Sequence, residues 1–203
     1  MKLPQTFYLR DDVVTISRDL IGKVLCTRIG ATVTKAIITE TEAYAGITDK
    51  ASHAYGGRRT RRTEPMYGPG GTVYVYLCYG IHHLFNVVTN ETDIPHAILV
   101  RGGKPLEGID TILKRRKKHA IDKSLLAGPG TLAQGLAITT ALSGTSLLDG
   151  AIWIEDHGIA VDPQSLHTRP RVGVDYAGED AARPYRFLID YSELVARRSV
   201  AMI

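Results

Sequence analysis

Three short segments of the chain carry residue types suited to chemistry. Thr39-Glu40-Thr41-Glu42-Ala43-Tyr44 sets two carboxylates and an aromatic ring at the polar end of the apolar run Ala36-Ile37-Ile38. Val73-Tyr74-Val75-Tyr76-Leu77-Cys78 is aromatic and β-branched, and it ends in Tyr79-Gly80. Between the two, Arg58-Arg59-Thr60-Arg61-Arg62 holds four arginines in five residues. Side chains alternate along a strand, so Glu40 and Glu42 share a face if theirs stays extended. Glu42 is the better catalytic candidate, because it stands where an apolar strand gives way to a loop, a common place for rigidly supported reactive groups. A partly buried carboxylate there can orient and deprotonate a water. A glutamate at a strand end also serves as a plain salt-bridge partner or surface group, and that alternative stands beside the first.

The surrounding types suit a flat ligand and a polyanion. Tyr44, His53 and Tyr76 can wall a slot in which an electron-poor, positively charged heterocycle gains about 0.5–2 kcal/mol per good cation–π contact. Tyr74 and Tyr76 also fit ordinary cross-strand aromatics. Tyr79, beside a glycine at a hairpin tip, has little core to enter. Such a side chain either wedges between base pairs and fills the gap left by an extruded nucleotide or packs back on its own hairpin. Asn86 falls mid-strand, where amides are disfavoured. Buried, it must be hydrogen-bonded, and so it can read or exclude a base edge. Arg101 ends the next strand, within reach of phosphate or of Glu42 and its water. Arg58, Arg59, Arg61 and Arg62 offer phosphate contacts, with Lys114-Arg115-Arg116-Lys117-Lys118-His119 as a second basic block. Part of that block simply complements a helix C-terminus. Together these features suit removal of a base pulled out of DNA. Two rivals remain: a non-catalytic nucleic-acid-binding module, which leaves Glu42 idle, and a small hydrolase pairing Glu42 with Asp49 on a sugar or nucleoside.

The elements that must position these residues follow from pattern and turn chemistry. Val14–Ile21 reads as a short helix stopped by Gly22. Residues 23–29 and 32–41 read as a hairpin across Gly30-Ala31, and residues 72–78 and 81–89 as a second hairpin across Tyr79-Gly80. His96–Arg101 continues the sheet. Leu106–Lys118 reads as a helix with Leu106, Ile109, Ile112 and Leu113 on one face. Gly128-Pro129-Gly130 turns into a helix over Thr131–Ile138, and residues 151–155, 172–176 and 185–189 supply later strands. Ala45–Gly71 is a long polar loop, of the kind that is usually functional or disordered. Hairpins dominate and βαβ alternation is missing, which predicts one α+β domain over residues 1–203, a largely antiparallel sheet with flanking helices.

Composition narrows the class. The 203 residues are 44% hydrophobic and 23% charged, the balance of an ordinary globular chain long enough for one sizeable core. No run reaches membrane-spanning length and no signal peptide opens the chain. Cys26 and Cys78 sit in apolar strand-like runs and read as two buried thiols of a reducing, cytoplasmic compartment. The seven histidines lack ligand spacing, and no phosphate-loop, dinucleotide or Ser-His-Asp signature occurs, so neither metal nor cofactor is expected. No coiled-coil or other interface signature occurs, and a monomer is expected.

The chain resembles the 3-methyladenine (alkyladenine) DNA glycosylases of the monofunctional alkyl-purine type. The resemblance runs through Leu20-Ile21-Gly22-Lys23-Val24-Leu25, Glu40-Thr41-Glu42-Ala43-Tyr44, Gly56-Gly57-Arg58, Gly71–Tyr76, Tyr79-Gly80, Leu99-Val100-Arg101, Pro105–Gly108, Gly128-Pro129-Gly130 and Arg171-Val172-Gly173-Val174 to Ala177-Gly178. It implies a mixed domain with a curved sheet and a protruding β-hairpin, acting on double-stranded DNA that contains damaged purines. It implies that Glu42 activates the attacking water with Arg101 as helper, and that Tyr44, His53 and Tyr76 contact the flipped base. It further implies that Tyr79 intercalates, that Asn86 helps exclude normal guanine, and that an abasic site is left without metal or covalent intermediate. The chain departs from the vertebrate pattern at Thr89–His96 and at His82-His83.

Overall fold

A strand of 13 residues, Thr32–Tyr44, organises the molecule. The structure is a computed structural model that describes residues 1–190; residues 191–203 of the expected domain lie outside the described residues. In chain order the elements are α1 (Gln5–Tyr8), α2 (Val13–Asp19), β1 (Val24–Ile29), β2 (Thr32–Tyr44), β3 (Val73–Cys78), β4 (His82–Thr89), β5 (His96–Glu107), α3 (Ile109–Arg116), α4 (Pro129–Gly135), β6 (Ile152–Glu155), β7 (Leu166–Arg169) and β8 (Arg186–Ile189), with 3-10 turns between them. All eight strands join one sheet, and every strand pairing is antiparallel. The path runs β3-β4-β5-β2-β1-β6. On one side β2 pairs with β5; on the other it pairs first with β1 and then, over Glu40–Glu42, with β8. Register shifts around Ile38, Glu40 and Thr41 mark bulges, which bend a strand and re-aim its side chains. This is the mixed, single-domain, antiparallel architecture that the sequence predicts.

Period-2 alternation divides the sheet between core and site. Ile38 and Ala43 of β2, Val73 and Val75 of β3, Phe85 and Val87 of β4, and Ile98 and Val100 of β5 enter the main core. There they meet Ile16 and Leu20 of the α2 segment, Ile112 of α3, and Leu132 and Leu136 from the α4 region. The α2 helix starts where it does because the Asp12 carboxylate caps the N–H groups of Val14 and Thr15, at 3.0 and 3.1 Å. The alternate residues face the other way. Register places Glu42 opposite Leu99, Leu99 opposite Asn86, and Asn86 opposite Tyr74, a single row crossing four strands. The segment between β2 and β3 covers this second face, with Ala54, Met66 and Tyr67 packed against Tyr74, Val88 and Ala97. It is a string of short 3-10 turns rather than free loop.

Two expectations are corrected. Leu106 belongs to β5 and not to a helix: β5 continues through Glu107, paired to Lys35, and the helix starts only at Ile109. Gly108 makes the junction in a left-handed conformation (φ 70°), where an added Cβ would stand 2.5 Å from the Val33 carbonyl oxygen. Residues 172–176 form no strand. Gly173 turns there with φ 72°, and the Val172 N–H goes to a side chain instead of a ladder. The strand at this point is the unforeseen β7, short and mostly exposed, paired with β8. Among the described residues no helix is long and apolar enough to cross a membrane.

Beneath the site, α2 is fastened to β2 by a buried pair. The Ser17 hydroxyl donates to Thr41 Oγ1 at 3.0 Å, and the Thr41 hydroxyl donates to the Ser17 carbonyl at 2.8 Å. Thr41→Val keeps the shape but strands the Ser17 hydroxyl, and a loss of about 1–3 kcal/mol is expected in urea unfolding. Unchanged stability would show that the pair does not fasten the helix.

Candidate active site

The second face of the sheet forms the floor of a cavity of about 520 Å³. Tyr44, Tyr76, Asn86, Leu99 and Arg101 reach it from the strands, His53 and Arg62 from the 3-10 segment, Val172 and Tyr176 from the loop after β7, and Tyr79 from the hairpin tip. The expected wall residues are therefore brought together. His53 meets Tyr76 edge to face at 4.7 Å between centroids, and its Nδ1 lies 2.9 Å from the Tyr74 hydroxyl. Tyr74 and Tyr76 are tilted against each other at 5.6 Å. Asn86 is buried, and its amide nitrogen donates to the Tyr74 and Leu84 carbonyls at 3.2 and 3.3 Å, which fixes the side chain in the wall. Cys26 is buried as expected, whereas Cys78 is only half-buried and lines the cavity.

Glu42 lies immediately behind this wall and is fully buried, at 0% exposed, rather than partly buried. Its Oε1 accepts from the Val172 N–H at 2.8 Å, and its Oε2 accepts from the Tyr44 hydroxyl at 2.9 Å. Arg101 approaches both oxygens at 3.4 Å while holding Glu40 more closely, at 2.9 Å. Glu40 is shared with Arg186 at 3.1 Å. Burial pushes the Glu42 carboxyl up. The Arg101 charge, the Val172 N–H and the Tyr44 hydroxyl pull it back, and Glu40 adds to the rise, leaving it above the usual carboxylate range. Burial and then Glu42 itself hold the Tyr44 hydroxyl protonated, and so a donor. Burial, followed by the Arg62 and Arg58 charges, brings His53 down to about 4, so its imidazole is neutral at pH 7.

Asp49 does not pair with Glu42. It is buried against Arg171, which holds it through both terminal guanidinium nitrogens, Nη1 and Nη2, with Nη2 donating to Oδ1 at 2.9 Å. The N–H groups of Ala45 and Ala51 donate to it as well, each at 3.0 Å. Burial raises the Asp49 carboxyl, but Arg171 and these backbone donors outweigh it and hold the group below the ordinary range. Tyr79 stands 92% exposed at the hairpin tip, where it and Gly80 take φ of 50° and 74°. The arginine run divides. Arg59 is engaged by Glu64 and Asp93, each at 2.7 Å, and lies over the Tyr67 ring. Arg62 lies over the Tyr76 ring, 5.1 Å from its centroid. Arg58 and Arg61 are exposed and carry no side-chain partner among the described residues. In the second basic block Arg115, Arg116 and Lys118 bind carbonyls and side chains of α4 and its neighbours.

The chain has counterparts among known proteins. A family model described as methylpurine-DNA glycosylase matches residues 6–193. The chain belongs to the methylpurine-DNA glycosylase family. A Chlamydia abortus relative is 44% identical over 188 residues, covering 92% of this chain and 97% of its own. A Desulfitobacterium hafniense relative is 41% identical over 202 residues, covering 96% and 98%. A Clostridium perfringens relative is 39% identical over 206 residues, covering 98% and 100%. All three are named as 3-methyladenine DNA glycosylases.

In this methylpurine-DNA glycosylase family member, sequence reasoning finds most of the cavity wall but misses the residues that grip Glu42 from outside the sheet. Val172 acts through its backbone, which leaves no trace in residue type. Arg171 carries a faint signal, a lone arginine between Pro170 and the turn glycine Gly173. Two measurements test this electrostatic arrangement. Asp49→Asn leaves the Arg171 charge buried without its partner and is expected to cost about 3–5 kcal/mol in denaturant unfolding; a loss below 1 kcal/mol would mean that Arg171 is not held by it. By proton NMR, the His53 imidazole is expected to titrate near 4. Its contribution to stability is then present above about pH 6.5 and lost as pH falls from there toward 4. A midpoint above 6 would contradict the burial.

Proposed function

We propose that this chain is a monofunctional DNA glycosylase of base-excision repair. It extrudes an alkylated or deaminated purine (the 3-methyladenine, 7-methylguanine, hypoxanthine and ethenoadenine class) from duplex DNA into the cavity, where the N-glycosidic bond is hydrolysed and an abasic site is left. The observation that carries this reading is Glu42, a buried carboxylate one side chain behind a cavity walled by Tyr44, His53 and Tyr76.

The chemistry follows from the donors. Val172 and Tyr44 hold Glu42 at 2.8 and 2.9 Å, whereas Arg101 stands off at 3.4 Å, so the weakest contact is the side on which a water is taken up. Glu42 draws a proton from that water as its oxygen attacks the anomeric carbon of the sugar. The glycosidic bond breaks with its electron pair going to the purine, and the Glu42 charge steadies the oxocarbenium-like sugar. A purine alkylated at N3 or N7 is cationic and leaves readily, and it gains from the aromatic faces. The Tyr79 tip, exposed and shaped by two residues of positive φ, is the wedge that fills the duplex behind the extruded base. Arg58 and Arg61, free of partners among the described residues, take phosphate; Arg59, paired twice, contributes less. His53, neutral at pH 7, serves as a wall and not as an acid.

The test uses duplexes carrying a single hypoxanthine, with alkaline cleavage of abasic sites, and methylated genomic DNA in parallel. Glu42→Gln is expected to keep duplex binding and lose about 10²–10⁴-fold in excision. Its melting temperature should not fall, since a carboxyl whose proton affinity is raised by folding costs stability when charged at neutral pH. In the native chain, excision should fall as pH drops through a midpoint above the usual glutamate range. Retained turnover in Glu42→Gln would remove the base from the mechanism. Silence of the native chain on both substrates, with DNA still bound, would favour the non-catalytic module.

A further inference from the structure

Arg171 and Asp49 form a buried pair outside the residues to which the mechanism assigns a role. We infer that Arg171, clamped by Asp49, is the positioning residue for Glu42: one guanidinium sets both the Val172 N–H and the Tyr44 hydroxyl on the carboxylate. This rests on the reading of Glu42 as the base. Val172 follows Arg171 in the chain, so fixing the arginine fixes the N–H that donates to Glu42 Oε1. The guanidinium also donates at 2.9 Å to the carbonyl of Ala43, the residue between Glu42 and Tyr44. It lies over the Tyr44 ring at 4.9 Å, and that ring's hydroxyl holds Glu42 Oε2. Asp49 orients the fork from the far side, and the Asp180 carbonyl accepts from Nη2 at 3.0 Å.

The pair is not arranged for stability alone. Among the described residues Arg171 Nε is buried without a hydrogen-bond partner, so the guanidinium does not satisfy all of its own donors where it sits. Buried ion pairs are often replaceable by apolar groups at little net loss, so their retention calls for another use. Here the use is geometric: the arginine joins two separate segments, the β2 end and the loop after β7, on one acceptor.

The consequence is read at Glu42. The groups that face it are Glu40 and Tyr44 on its own strand, Arg101 on β5, Tyr76 on β3, Arg171 in the loop, and Arg186 on β8 through Glu40. Releasing the clamp loosens two donors that favour the anion while the others stay, so Glu42 must titrate higher. The experiment follows the Glu42 carboxyl by carbon NMR in glutamate-labelled protein, with Glu42→Gln assigning the resonance. Single-turnover excision on the hypoxanthine duplex is measured across pH in parallel. Two variants are compared with the native chain: Arg171→Lys, and the double change Asp49→Asn with Arg171→Met, which removes both charges and leaves no lone buried ion.

In each, the Glu42 midpoint is expected to rise by about one unit. The acid limb of excision should move with it, and the rate at pH 7 should fall about 10²-fold with duplex binding unchanged. Unfolding of both variants, or a native Glu42 titration in either that folds, gives the pair a structural role and overturns the inference. A displaced titration in a chain that excises nothing even in native form would instead sink the glycosylase reading and leave the clamp standing.

Discussion

A carboxylate taken from water into a protein interior must be matched by donors or must take up a proton. Glu42 meets this constraint with three donors, one near in the chain and two far: the Tyr44 hydroxyl two residues on, Arg101 from β5, and the Val172 N–H from a loop 130 residues away. None of the three is local decoration. Each has its own support, Tyr44 under the Arg171 guanidinium, Arg101 against Glu40, and Val172 by continuity with a buried arginine. Removing the carboxylate would leave these supports holding nothing, which is why so much of the second face of the sheet is organised around one side chain.

The same demand explains why the site sits on a sheet. A strand offers alternate faces, and β2 to β5 turn one to the core and the other to the cavity. Helices α2, α3 and α4 close the first face together with Leu125, Leu126 and Leu147 from the loops. The second is covered by the segment between β2 and β3, whose short 3-10 turns are joined by further turns that carry His53 and Arg62, and the cavity lies between this covering and the sheet.

What was legible in the sequence was whatever depends on side-chain type and period. Glu42 stands at the end of an apolar run, Tyr44, Tyr76 and Asn86 reach the cavity from their strands, and Tyr79 stands at the hairpin tip. Leu106 falls at helical spacing from Ile109, Ile112 and Leu113, and only the pairing of the neighbouring Glu107 with Lys35 assigns it to β5. Residues 172–176 looked like a strand from their β-branched content, yet the pairing that defines a strand was absent. The rival pairing of Glu42 with Asp49 failed for a related reason: nearness in sequence said nothing about Arg171, more than a hundred residues away, which claims Asp49. Long-range polar partners and backbone donors carry no periodic signature, and they are the part that sequence cannot show.

The row Glu42–Leu99–Asn86–Tyr74 has a consequence for how such a chain can vary over time. One inserted or deleted residue inside any of these strands rotates everything beyond it to the opposite face, exchanging cavity-side for core residues in a single event. A frame error in β4 would put Phe85 into the cavity and Asn86 into the oil. A change of length is tolerated only where strands turn, at the Tyr79 tip, in the covering segment and in the Asn90–Pro95 connection. Those connections can lengthen or shorten while the row itself keeps its register.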